Sequence, residues 1–206
     1  SNILAGDLSG LWEDHVDTFE FYFESGQPVF LSHSELMICP SYNQSMPLQA
    51  EEFTLPRALR FGTSYDEALR LCGSHAENED SGDGWKSFQC EGYRYVFYDD
   101  ALSCVYIRSV ADGGNMEPTT PIFREIHLGE SIESVFDKFP CTDRELKQWE
   151  LQTVYDDGEG HTADLQFVAN SFYALRFCTP EGYTAMLTFA HADNTVKSID
   201  LYAPGM

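Results

Sequence analysis

The stretch His127–Pro140, HLGESIESVFDKFP, reads as a short capped helix, and Arg60–Gly73, RFGTSYDEALRLCG, reads the same way earlier in the chain. Aligning Gly62 with Gly129 brings Tyr65 onto Ile132, Ala68 onto Val135, Leu69 onto Phe136 and Cys72 onto Phe139. That spacing puts apolar side chains on one helical face. Asp66, Glu67 and Arg70, or Glu133, Ser134 and Asp137, occupy the other face. Ser64 and Ser131 stand at the N-cap position, where a hydroxyl accepts from a first-turn amide, and Ser64 with Glu67 matches a capping box. Gly73 suits a helix stop and Pro140 cannot continue one. Helices this short are unstable alone, so each must lay its apolar stripe on something larger.

Strand-like runs follow each helix. After the first come Trp85–Cys90, Tyr93–Tyr98 and Leu102–Ile107; after the second come Trp149–Tyr155, Asp164–Val168, Phe172–Cys178, Tyr183–Phe189 and Val196–Tyr202. The breaks carry Gly, Pro, Asp and Asn, and connections so short require antiparallel pairing. The expectation is an α+β protein of two tandem units, each a short helix packed on its own antiparallel meander. Residues 1–52 form an N-terminal extension with two strands, at Asp17–Phe23 and Val29–Ser34, residues 53–115 the first unit and residues 116–206 the second. The Gly- and Pro-rich segment Ala111–Pro121 joins the units, and Glu77–Asp83 reads as an acidic loop.

Tandem units opening with a Leu-Gly-x-Ser turn and a Val-x-x-x-Phe-Pro helix resemble the β-lactamase inhibitor protein and related small outer-membrane lipoprotein modules. The carriers are Leu128–Ser131, Val135–Pro140 and the closing strand Val196–Ile199, with Phe61–Ser64 and Ala68–Gly73 as a weaker first copy. The resemblance runs from about Thr54 to the C-terminus. It implies an exported or lipid-anchored binding module without an active site. The first unit is shorter than the pattern, the N-terminal extension has no counterpart, and no inhibitor contact residue transfers, so inhibition of a β-lactamase is not expected.

The 206 residues hold 12 Lys and Arg against 34 Asp and Glu, a formal charge of −22 that disfavours nucleic acid and anionic membranes and suits a basic protein partner. No apolar run reaches the roughly 18 residues of a membrane-spanning helix. The chain opens Ser1-Asn-Ile without Met and continues with the small and polar Ala5–Gly10, which suggests an export signal or lipid-anchor segment cut away, and hence an extracellular or cell-surface location. Cys39, Cys72, Cys90, Cys104, Cys141 and Cys178 show no zinc spacing and read mostly as free thiols.

No motif names a reaction. The six histidines are dispersed, Gly62-Thr-Ser64 and Gly129-Glu-Ser131 read as caps rather than nucleophile elbows, and Cys141 follows a helix C-terminus, which disfavours a thiolate. The acidic turn Asp156–Gly160, bordered by His161 and Asp164, lacks the ligand spacing of a calcium loop. The expectation is therefore no enzyme, no metal and no cofactor. Candidate binding residues are the aromatics Trp85, Tyr93, Tyr95, Tyr106, Trp149 and Tyr183, on a sheet face left free by the helices. The reading is a protein-binding or scaffold module at the cell envelope; the alternative is a carbohydrate-binding protein or hydrolase with its site between the units.

Overall fold

The computed structural model describes residues 46–108, 121, 123–140, 152–169, 172–190, 193 and 195–206, and the backbone of strands at 2–6, 19–24, 27–32 and 35–38. Those strands, β1 (Asn2–Gly6), β2 (Phe19–Glu24), β3 (Gln27–Ser32) and β4 (Glu35–Ile38), make an antiparallel sheet in the order β1-β2-β3-β4. The remainder holds α1 (Tyr65–Cys72), then β5 (Ala76–Gly82), β6 (Trp85–Cys90), β7 (Tyr93–Tyr98) and β8 (Ala101–Arg108). The short helix α2 (Ile132–Phe136) precedes β9 (Gln152–Asp156), β10 (Thr162–Ala169), β11 (Phe172–Cys178), β12 (Thr184–Ala190) and β13 (Val196–Tyr202).

These nine strands form one antiparallel sheet, in the order β5-β6-β7-β8-β13-β12-β11-β10-β9. The expected pair of tandem units, each with its own sheet, is thereby corrected. The overturning contact is β8 against β13, with Ile107 opposite Ile199 and Leu201 opposite Val105. All four side chains are buried. Separate sheets would leave two central edges with unpaired backbone groups beside large apolar side chains, and pairing β8 with β13 removes both. The acidic run expected as a loop is likewise corrected, since it is largely strand β5, paired with β6 and bulged between Glu77 and Asp80. The joining segment Ala111–Pro121 lies outside the described residues except for Pro121.

Period-2 alternation sorts the sheet into two faces. Phe88, Tyr95, Phe97, Val105, Leu201, Leu187, Leu175 and Phe177 belong to the main core cluster, and both helices pack on this side. Tyr65 of α1 meets Phe88 and Phe97 edge-on at 5.7 and 5.1 Å, while Ala68 and Cys72 are buried with it. Ile132 and Val135 of α2 are fully buried, and Phe139 stacks on Phe177 at 3.9 Å. Covering a large apolar side chain in this way is worth about 1.5–3 kcal/mol, which supplies what so short a helix lacks by itself.

Both helices enter through the same local device. The Gly62 amide donates to Leu102 O and the Leu102 amide to Thr63 O; the Gly129 amide donates to Val196 O and the Val196 amide to Glu130 O. Ser64 then accepts from the Glu67 amide and Ser131 from the Ser134 amide. Gly62 and Gly129 hold φ of +85° and +82°, where a side chain would be strained.

A further clamp ties the chain before α1 to the chain before α2. Arg124 donates through Nε and Nη2 to the Glu52 carboxylate, both at 2.8 Å, through Nη1 to Lys138 O at 2.7 Å and through Nη2 to Pro47 O at 2.9 Å. Its guanidinium also lies 4.6 Å from the centre of the Phe139 ring.

Candidate functional site

Of the six aromatics expected to share a binding face, the five among the described residues do not. Tyr93 and Tyr95 are 2% and 1% exposed and stack at 6.0 Å within the core beneath α1, so their place on a binding face is corrected. Burial pushes the Tyr93 hydroxyl up to about 12, as befits a phenol kept neutral. Tyr183 is half-buried and packs on Phe53 and Phe61 at 5.2 and 5.8 Å. Trp149 lies outside the described residues. Trp85 and Tyr106 remain as partly accessible side chains of the sheet.

Trp85 opens β6, opposite Tyr98 on one side and Gly82 on the other. Its indole lies so close over Gly82 that a Cβ there would fall 2.2 Å from Nε1, so only glycine fits. With Lys86, Phe97, Asp99 and Asp100 it lines an open pocket of about 370 Å³ at this end of the sheet. Alongside runs β5, one of the two edge strands of the nine-stranded sheet, with every residue from Glu77 to Gly82 exposed. Glu77, Glu79 and Asp80 along it, Asp83 in the following turn, and Asp99 with Asp100 in the turn between β7 and β8 concentrate negative charge here. Tyr65 donates to Glu79 Oε2 at 2.7 Å, and Lys86 Nζ sits 4.8 Å from the centre of the Tyr65 ring, which leaves Glu77, Asp83, Asp99 and Asp100 turned to solvent.

Tyr106 stands on the face opposite the helices, 6.1 Å from Tyr202, with the Arg108 guanidinium 5.2 Å from its ring centre. Between them lies Asp200, paired with Tyr106 on one side and Met186 on the other and 3% exposed. Arg108 Nη2 approaches Oδ2 at 3.6 Å, and among the described residues Oδ1 has no hydrogen-bond partner. Burial pushes the Asp200 carboxyl up to about 6, against the pull of Arg108. Sequence reading missed this group, although Asp200 interrupting an apolar strand between Ile199 and Leu201 was the available signal.

The turn Asp156–Gly160 spends its carboxylates on its own closure. Asp157 accepts from the amides of Glu159 and His161, and its Oδ2 lies 2.5 Å from His161 Nδ1. Among the described residues no group of three or more His, Cys, Asp or Glu is placed to hold a metal ion. Cys72, Cys90, Cys104 and Cys178 are free thiols, while Cys39 and Cys141 lie outside the described residues.

No protein-family profile matches the chain, and no curated protein matches it. Among solved structures, a cysteine-rich secretory protein from Staphylococcus aureus subsp. aureus Mu50 aligns at a TM-score of 0.42 and 11% identity, over 82% of this chain and 50% of that one. The chain thus spans about half the length of that protein. Among the described residues no helix is long and apolar enough to cross a membrane.

Proposed function

We propose that this chain is a non-catalytic, exported recognition module of the cell envelope that binds a basic protein at the β5 end of its large sheet. The observation that carries this reading is the β5 edge itself, with an exposed strand bearing Glu77, Glu79 and Asp80 beside the Trp85 pocket and the Asp99–Asp100 turn. An extended segment added to such an edge gains main-chain hydrogen bonds, and carboxylates along the edge select for Lys and Arg in it. The same carboxylates repel a second β5, which guards the edge against pairing with its own copies. The formal charge of −22 extends this preference over a longer range.

The test compares wild type with the E77Q/D80N/D83N variant as baits in envelope extract of the source organism, at low and high salt. Glu79 is left intact because it holds Tyr65. A protein retained by wild type, lost at high salt and lost from the variant supports the reading. Equal capture by the two baits, or capture indifferent to salt, overturns it.

A further inference from the structure

Cys72 ends α1 and Cys90 ends β6, and both are free thiols. They are 1% and 2% exposed and share the main core cluster. The other described cysteines sit in different surroundings: Cys104 lies opposite Tyr202 of β13, and Cys178 has its Sγ 3.7 Å from Thr184 Oγ1. We propose that Cys72 and Cys90 form a specific latent cross-link, a disulfide that staples the end of α1 to the sheet when the chain folds among thiol oxidants. The bond holds its two sulfurs about 2.05 Å apart. Cys90 lies opposite Ala76, the first strand residue after the turn that follows α1, so the backbone already brings the two positions together.

The chemistry is two thiol–disulfide exchanges. One cysteine thiolate attacks a sulfur of a disulfide oxidant, such as oxidised glutathione or an oxidoreductase, forming a mixed disulfide and expelling one thiolate. The second cysteine attacks the first cysteine's sulfur and expels the other thiolate. The two cysteines lose two electrons and two protons, and the oxidant is reduced to two thiols. In the closed fold burial pushes the Cys72 thiol up to about 12 and keeps it protonated, so the exchange at Cys72 proceeds while α1 is off the sheet.

The experiment refolds the full chain with oxidised and reduced glutathione, blocks remaining thiols under denaturing conditions and maps a non-reducing digest. A peptide linking Cys72 to Cys90 is expected, together with a thermal midpoint that falls by several degrees on reduction in wild type and does not fall in C72A or C90A. Blocking label on both Cys72 and Cys90, or a link from either to another cysteine, overturns the proposal. A midpoint in C72A or C90A as sensitive to reduction as wild type does so too.

Discussion

Asp200 in β13 lies directly opposite Tyr106 in β8, with its carboxylate buried at the line where the two halves of the large sheet meet. The folded carboxyl titrates at about 6, against 3.8 as its ordinary value, because burial outweighs the approach of Arg108. The folded state therefore binds more protons than the unfolded chain between these values, and stability falls as pH rises through that window. Above about pH 6 the whole penalty is present, at most about 3 kcal/mol for the gap between the two values. Asp200→Asn keeps the shape and removes the charge. Its melting point is expected to exceed that of wild type at pH 7 to 8, with the difference shrinking as pH approaches about 4, in melts across a pH series.

Leu201 is fully buried at the same seam, opposite Val105 on one side and Ala185 on the other. Truncation to alanine removes core contacts that a packed sheet cannot refill, with an expected cost of about 2–5 kcal/mol. A continuous sheet also dictates how that loss spreads. Hydrogen exchange should show protection in β7 and β11 of Leu201→Ala falling together, because both hang on the β8–β13 pairing. Loss confined to β11 and β12 would mean that the two halves open independently.

The limits of sequence reading are visible in particular elements. The runs Trp85–Cys90, Tyr93–Tyr98, Phe172–Cys178 and Val196–Tyr202 coincide with β6, β7, β11 and β13, because aromatic and β-branched alternation bounded by turn residues is a local signal. The joining of β8 to β13 is not local. Nothing in either strand says that its outer edge will meet a partner about a hundred residues away rather than solvent, and this omission turned one sheet into two. β5 escaped for the opposite reason: its charged residues carry no alternation, and pairing with β6 alone makes it a strand. Alternation also places Tyr93 and Tyr95 on one face without saying which. Their phenols suit a core or a wet surface equally, so only the position of α1 decides.

Ser64 and Ser131 cap the two helices through their hydroxyls. Ser64→Ala should cost about 1 kcal/mol, and Ser131→Ala about the same, in denaturant titrations. Replacing both is expected to be additive, because each cap serves its own helix and shares no partner with the other. Gly62→Ala should add strain of about 1 kcal/mol or more although nothing lies within 4 Å of the new methyl group, since φ is +85° there.

Arg124 offers the sharpest test of what joins the segments ahead of the two helices. Its side chain is 15% exposed and donates to Glu52, Pro47 O and Lys138 O at once. Arg124→Ala leaves those acceptors short of donors and is expected to cost about 2–4 kcal/mol. Lysine keeps the charge but not the planar fork, and should restore only part of the loss. Burial works against ionisation of Glu52, yet the hydrogen bonds from Arg124 and the Gln49 amide outweigh it and hold the carboxyl below its usual range. That contribution is present above the ordinary carboxylate value and fades as pH falls through the lower, folded one. Acid titration of stability should therefore be steeper in wild type than in Arg124→Ala, and equal slopes would mean that the clamp does not depend on the Glu52 charge.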